Sequence, residues 1–217
     1  MNNENAFILA TSTGEGISEL FLELGADAVL PCASTDSLSD GDFASAILAS
    51  GSRCVLLLPN GESAYESAEG AARSCDSIRV SVLPTRSFAE GYAALAAMPR
   101  GESTAELYRA ALPGISSVTP IDIVREWGQG CFFGQYSAIS HGERYSLAGS
   151  AEAALLESVE RLFDKEKHRI ITLIVGKGVT NARRVFVTER LMEIYPDAQI
   201  IVYIGGQTAT EYYIALR

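Results

Sequence analysis

Three times in the first half of the chain, an apolar run ends in a Gly- or Pro-bearing polar loop and a helix pattern opens at once. Ala6–Ala10 runs into Thr11-Ser12-Thr13-Gly14-Glu15-Gly16, after which Ile17, Leu20, Phe21 and Leu24 fall at helical spacing. Cys54–Leu58 runs into Pro59-Asn60-Gly61, followed by an Ala-rich face of Ala64, Ala68, Ala71 and Ala72. Ile78–Leu83 runs into Pro84-Thr85-Arg86-Ser87, followed by Phe88, Tyr92 and Leu95. Strands alternating with helices of about 10–15 residues imply a parallel sheet. Its strand-to-helix loops share one edge, where open α/β sheets bind their ligands.

The second strand of this half is Ala28–Leu30, and a helix opens near Ser39 with Asp42 three residues on, the spacing of a capping box. Pro99-Arg100-Gly101 breaks the chain; Ser103 then caps a short helix through Leu112, which Pro113-Gly114 ends. Between Ile115 and Ser150 the pattern changes to short strands. Ser117–Ile123 alternates polar with apolar, Cys131–Ile139 is aromatic and β-prone, His141-Gly142-Glu143 forms a turn, and Trp127 lies near a bend. Helical spacing returns with Leu155, Leu156, Val159, Leu162 and Phe163. Ile170–Val175 reads as a strand, Asn181–Ile194 as a helix and Gln199–Ile204 as a strand, before Gly205-Gly206-Gln207 and Tyr212–Leu216 close the chain. The expected fold is α/β, with two lobes of largely parallel sheets: an N-terminal lobe over 1–113, an antiparallel β insert over 114–150 and a C-terminal lobe over 151–217.

A chain of 217 residues that is 47% hydrophobic can bury a sizeable core. Its net charge of -10 argues against nucleic acid or anionic membrane as a main partner, since both select a basic face. No apolar run reaches the roughly 18 residues of a membrane span, and Met1-Asn2-Asn3-Glu4-Asn5 lacks the regions of a signal peptide. The four cysteines are scattered without a Cys-x-x-Cys pair, which fits a reducing cytoplasm. Cys54 and Cys131 read as small core residues. His141 and His168 supply no metal-ligand spacing, so no metal site is expected.

Thr11–Gly16 follows a strand and opens a helix, where backbone N–H groups can hold an anion and Thr11, Ser12 and Thr13 add donors. Glu15 sets a negative charge in the same place, and the bland reading is a tight turn with a cap. In Pro84-Thr85-Arg86-Ser87 the arginine can grip a carboxylate or phosphate bidentately; alternatively Ser87 is an ordinary N-cap and Arg86 a solvated charge. Gly176-Lys177-Gly178 resembles half a phosphate loop, but Gly178 stands where Ser or Thr would hold magnesium, so no ATP site is expected there. His168, among Lys165, Glu166, Lys167 and Arg169, reads as solvated at a helix end. No residue is assigned as catalytic.

Gly14-Glu15-Gly16-Ile17, Leu24-Gly25-Ala26-Asp27, Leu58-Pro59-Asn60, Leu83-Pro84-Thr85-Arg86-Ser87 and Gly205-Gly206-Gln207 form an ordered series. From about Phe7 to Leu216 it resembles the C-terminal domain of the ATP-binding subunit of bacterial fatty acid kinases, a dihydroxyacetone-kinase-like, DegV-associated family. The resemblance implies a fold related to DegV and to the substrate subunit of dihydroxyacetone kinase. It also implies that ATP and magnesium belong to a separate dihydroxyacetone-kinase-type domain, with no cofactor in this chain. The implied partners are that ATP-binding domain and a DegV-like protein carrying the fatty acid whose carboxylate is phosphorylated; a homodimer is a further option. The residues expected to meet ligand or partner are Thr11, Ser12, Thr13, Gly14, Glu15, Gly16, Thr35, Asn60, Thr85, Arg86, Ser87, Gly205, Gly206 and Gln207. One loop departs from the family: where relatives carry Gly-Gly-Gln-Thr-x-Asn-Pro-Ser-Thr, this chain has Cys32–Asp40, in which only Thr35 and Ser39 match.

These features lead first to a non-catalytic docking module that presents a fatty-acid carrier for phosphorylation. A second reading is a stand-alone protein that binds a small acid, acyl chain or phosphate with its strand-end loops. A third is a phosphotransferase forming a covalent adduct on His141 or His168.

Overall fold

The computed structural model describes residues 6–126 and 134–217; Trp127 and the Cys131–Phe133 part of the aromatic segment lie outside the described residues. The chain divides into two compact units, 1–117 and 118–217. The first unit runs β1 (Phe7–Ser12), α1 (Glu15–Leu24), β2 (Ala28–Pro31), α2 (Asp40–Ala49), β3 (Cys54–Leu58), α3 (Glu62–Ser74), β4 (Arg79–Val82), α4 (Phe88–Ala97) and α5 (Thr104–Ser117). All four strands pair in parallel, in the order β2-β1-β3-β4. Strand order reverses direction between β1 and β3, the kind of point at which open α/β sheets place their sites.

Every residue of β3 is buried, as a central strand covered on both faces requires. Leu9, Val55 and Leu57 pack with Phe43 and Ile47 of α2 and Ala64, Ala68 and Ala71 of α3. Each fully buried Leu or Phe contributes roughly 1.5–3 kcal/mol. Ser39 caps α2 in the expected capping box, its side chain accepting from Asp42 N–H while the Asp42 carboxylate accepts from Ser39 N–H at 2.8 Å.

The short helix expected to stop at Leu112 instead continues through Pro113 to Ser117. An interior Pro costs about 3 kcal/mol through one lost hydrogen bond and a clash. Packing against α4 offsets this: Gly114 lies so close to the Ala93 carbonyl that a Cβ there would overlap it.

The second unit contains β5 (Thr119–Arg125), β6 (Tyr136–Ser140), β7 (Glu143–Ala148), α6 (Ala151–Leu162), β8 (Ile170–Val175), α7 (Asn181–Ile194), β9 (Gln199–Ile204) and β10 (Thr210–Leu216). The sheet order is β7-β6-β5-β10-β8-β9, and among the described residues only β8 and β9 of this sheet pair in parallel. The antiparallel strands between 114 and 150 therefore belong to the same sheet as β8 and β9. The link is the chain's last strand, β10, which enters between β5 and β8 antiparallel to both. His141 (φ 48°) and Gly142 (φ 78°) form the two-residue hairpin turn between β6 and β7, the left-handed pair that suits strand twist. Ile121, Ile123, Ile171, Leu173, Tyr212 and Ile214 pack beneath Leu155 and Val159 of α6 and Val187 and Leu191 of α7.

Candidate functional site

The expected site residues of the first unit gather at the carboxyl ends of β1, β3 and β4, but several turn inward. Thr11 Oγ1 donates to the Pro59 carbonyl at 2.6 Å, and Asn60 Nδ2 donates to the Thr11 carbonyl at 3.0 Å. Asn60 N–H in turn donates to Thr85 Oγ1 at 3.2 Å. All three side chains are buried. Asn60 adopts φ 56°, a left-handed conformation that Asn tolerates better than most residues. Gly91 of α4 lies against the Asn60 amide, leaving no room for a Cβ. These residues clasp the three loops together.

Of the other expected residues in this unit, Ser12 is buried as well and the rest lie nearer the surface. Ser12 Oγ bonds Ser18 Oγ at 2.6 Å, while Thr13, Gly14 and Gly16 are half-buried and Glu15 is exposed. Gly14 is the N-cap of α1 and Gly61 that of α3, neither with a side-chain cap. Thr35 packs against Gly61 from the loop after β2. Beside it, the Cys32 thiol donates to the Ser12 carbonyl, and burial pushes its pKa up to about 11. That thiol stays protonated and is a poor nucleophile.

Ser87 does cap α4, accepting from Glu90 N–H at 3.2 Å. Arg86 is exposed without being free: it pairs with Glu62 and lies 4.6 Å from the centre of the Tyr65 ring. A carboxylate gripped by Arg86 would have to displace Glu62. Glu90, buried in the first turn of α4, accepts from Arg86 N–H at 2.5 Å. Sequence reasoning missed this residue, although Ser87-Phe88-Ala89-Glu90 carries the Ser-x-x-Glu signature that could have revealed it. No local signal marks Glu62 and Tyr65.

In the second unit Gly205-Gly206-Gln207 follows β9. Gly205 N–H donates to the Val175 carbonyl at 2.8 Å, and Gly206 takes φ 77°. Gln207 Nε2 donates to the Ile174 carbonyl at 2.9 Å, and the Gln207 carbonyl accepts from Lys177 N–H at 2.8 Å. Gln207 is thus a buried tie between loops.

Nearby is a charged cluster with no sequence signature, because its members come from distant segments. Arg183 Nε donates to Glu152 Oε1 at 2.6 Å, and its guanidinium stands 3.6 Å from Glu211. Tyr212 donates to the same Glu152 oxygen at 3.3 Å. Burial and then the Glu152 charge push the Tyr212 pKa well up. For Arg183, burial acts to lower the pKa, and the hydrogen bond and charges of Glu152 and Glu211 outweigh it to give a net rise. Gly178 faces the Glu211 carboxylate, an unsuitable setting for a nucleotide phosphate. Among the described residues, no group of three or more His, Cys, Asp or Glu side chains is arranged to hold a metal ion.

Two cavities lie at the amino ends of strands. One of about 190 Å³ in the first unit is lined by Ile8, Asp27, Leu95 and Arg100. One of about 350 Å³ in the second is lined by Phe163, Lys165, His168, Arg169 and Tyr195. His168 is buried here, which corrects the expectation of a solvated side chain. Its Nδ1 accepts from Asp164 N–H at 3.0 Å and its ring lies against Phe163, so the chain folds back over it.

The model of the FakA-like C-terminal domain family, a domain of fatty acid kinase, matches residues 7–217. The chain belongs to that family. An uncharacterized protein of Staphylococcus aureus strain USA300 is 26% identical to this FakA-like domain, covering 100% of this chain and 40% of the relative. The chain therefore spans about two fifths of that relative's length. Dihydroxyacetone kinase from C. freundii has a similar fold, with TM-score 0.71 and 14% identity over 100% of this chain and 49% of that one. A DegV family protein from Thermus thermophilus, described as fatty acid binding, gives TM-score 0.69 and 14% identity over 98% and 99%. These similarities agree with the fold that the motif series implied. No helix among the described residues is long and apolar enough to cross a membrane.

Proposed function

We propose that this chain is a non-catalytic docking domain of a fatty-acid-kinase-like system. It binds a DegV-like fatty-acid carrier and presents it to a separate dihydroxyacetone-kinase-type domain holding ATP and magnesium. There the acyl carboxylate takes the γ-phosphoryl group and ADP leaves. Family membership supports the choice of system. The observation that carries the docking role is the inward clasp at the strand ends. Thr11, Asn60 and Thr85 direct their polar groups into the protein, which leaves a rigid platform bearing Arg86, Glu62 and Tyr65 on its surface. Exposed charges of this kind contribute little stability but orient a partner and speed its encounter.

The test is a calorimetric titration against DegV-like carriers, loaded with fatty acid and empty, alongside an ATP hydrolysis assay. Saturable binding that weakens in Arg86→Ala or Glu62→Lys, without hydrolysis, is the expected result. Failure to bind any carrier overturns the docking role. Direct binding of free fatty acid or inorganic phosphate, lost in Arg86→Ala, would replace it with the stand-alone acid-binding reading.

A further inference from the structure

The cavity of about 350 Å³ in the second unit lies where α6 and α7 end and β8 and β9 begin, between residues 163–169 and 195–198. Gly205-Gly206-Gln207 follows the opposite, carboxyl end of β9, so the cavity is separate from that expected ligand loop.

Three rings form its apolar wall. The Phe163 ring centre stands 4.5 Å from that of Tyr195 and 5.5 Å from that of His168. His168 Nδ1 is taken up by Asp164 N–H, and burial disfavours the charged ring. His168 therefore contributes a face rather than a charge.

Charge comes from Lys165, Arg169 and Asp197, two cations against one carboxylate in a chain whose net charge is -10. Arg169 Nη1 donates to the carbonyls of Lys165 and His168, the latter at 3.0 Å. That pins the guanidinium, while Nε and Nη2 on its other edge take no partner among the described residues. Two parallel N–H groups on one edge match the two oxygens of a carboxylate. A guanidinium already held in place loses less freedom when it binds. The Lys165 and Asp197 side chains form no hydrogen bond or ion pair among the described residues, whereas neighbouring Lys167 is paired with Asp164 at 3.2 Å. Cations near helix C-termini are expected on electrostatic grounds alone. A wall of rings and a pinned guanidinium with an open edge are not.

We infer that this cavity binds a small aromatic carboxylate bearing a ring hydroxyl. The carboxylate takes the open edge of Arg169 and the Lys165 ammonium. The ring packs on Phe163, His168 and Tyr195, and the hydroxyl donates to Asp197. Ring against ring adds a favourable offset or edge-to-face contact that an acyl chain cannot make. The volume is at the small end of ligand pockets, which run from roughly 300 to 1,000 Å³, and so suits a single ring better than a long chain. This site is independent of the docking role.

Calorimetric titration of the full chain with 4-hydroxyphenylacetate tests the inference. Saturable binding is expected, with a dissociation constant of about 1 mM or tighter. 4-Hydroxyphenylacetamide, which lacks the charge, should bind about tenfold more weakly or worse. Lys165→Ala, at an exposed position, should fold normally by circular dichroism and weaken binding several-fold. Arg169→Lys keeps the charge but loses the fork, and should weaken binding about tenfold. Phenylacetate, without the hydroxyl, should bind the wild type less tightly, and the two acids should bind Asp197→Ala equally. No saturation at about 10 mM 4-hydroxyphenylacetate overturns the inference. So does binding unchanged in both Lys165→Ala and Arg169→Lys, or octanoate binding as tightly as the aromatic acid. The readout needs no carrier, so a chain that binds the acid but no carrier refutes only the docking role, and the reverse refutes only this inference.

Discussion

In the first unit the loops after β1, β3 and β4 are held by neutral hydrogen bonds among Thr11, Asn60 and Thr85. In the second, helices α6 and α7 and the start of β10 are held by charge among Glu152, Arg183, Glu211 and Tyr212. The neutral clasp is fully buried, so a lost bond has no water to replace it and the whole desolvation penalty appears. The charged clasp is partly open to solvent: Arg183 keeps 31% of its side-chain exposure, so screening and hydration soften any loss. A clasp made of weaker individual bonds can therefore matter more when it is dry.

The sharpest challenge to this contrast is Asn60→Leu. It removes the amide that holds the Thr11 carbonyl and forces Leu into φ 56°. A loss of about 3 kcal/mol is expected, read as a lower urea midpoint at unchanged slope. Asn60→Gly keeps the backbone conformation and should lose less. If Asn60→Leu costs under about 1 kcal/mol, the neutral clasp is not what organises this edge.

Arg183→Met tests the other unit and should cost about 2 kcal/mol, below the 3–5 kcal/mol of a fully buried broken pair. Combining it with Glu152→Gln should cost less than the sum of the single changes, because the two side chains share one interaction. Full additivity would show that the charged clasp contributes nothing as a unit.

A smaller effect appears as a pH slope. Burial lowers the His168 pKa from 6.5, Asp164 partly opposes this and Lys167 adds to the lowering. Above about pH 6.5 the side chain is neutral in both folded and unfolded chains. As pH falls below that, the unfolded chain takes up a proton that the folded chain resists. Stability therefore declines until the pH passes the folded value. His168→Gln should flatten that part of the stability profile measured by urea titration at several pH values. An unchanged slope would remove His168 as its source.

The smallest expected change in stability is that of Arg86→Ala, about 0.5 kcal/mol or less, because the Arg86–Glu62 pair is solvent-exposed. A weaker carrier interaction with an unchanged melting temperature would separate its surface role from that of the clasp beneath it.

Much of the element order was legible because hydrophobic periodicity is local. Asn181–Ile194 and Gln199–Ile204 fall where their spacing places them, and Ser39 with Asp42 announces the start of α2. Pro113 misled because the helix-breaking rule considers one backbone, whereas α5 continues on the strength of its contact with α4. His168 misled because its charged sequence neighbours suggested solvent, although folding brings Phe163 and Tyr195 around it. The candidate site was half legible. That the expected residues of the first unit lie together follows from strand-end loops sharing an edge, but the direction of each side chain depends on partners 25 to 49 residues away.

By itself the sequence determined the alternation of strands and helices, the caps, and the edge on which the polar loops of the first unit collect, since propensity and periodicity act over a few residues. Only the tertiary structure decided that Thr11, Asn60 and Thr85 face inward, that β10 enters the centre of the second sheet, and that residues 163–169 and 195–198 enclose one cavity. Those outcomes depend on which distant segments share a hydrogen bond or a buried face, and no local pattern encodes that pairing.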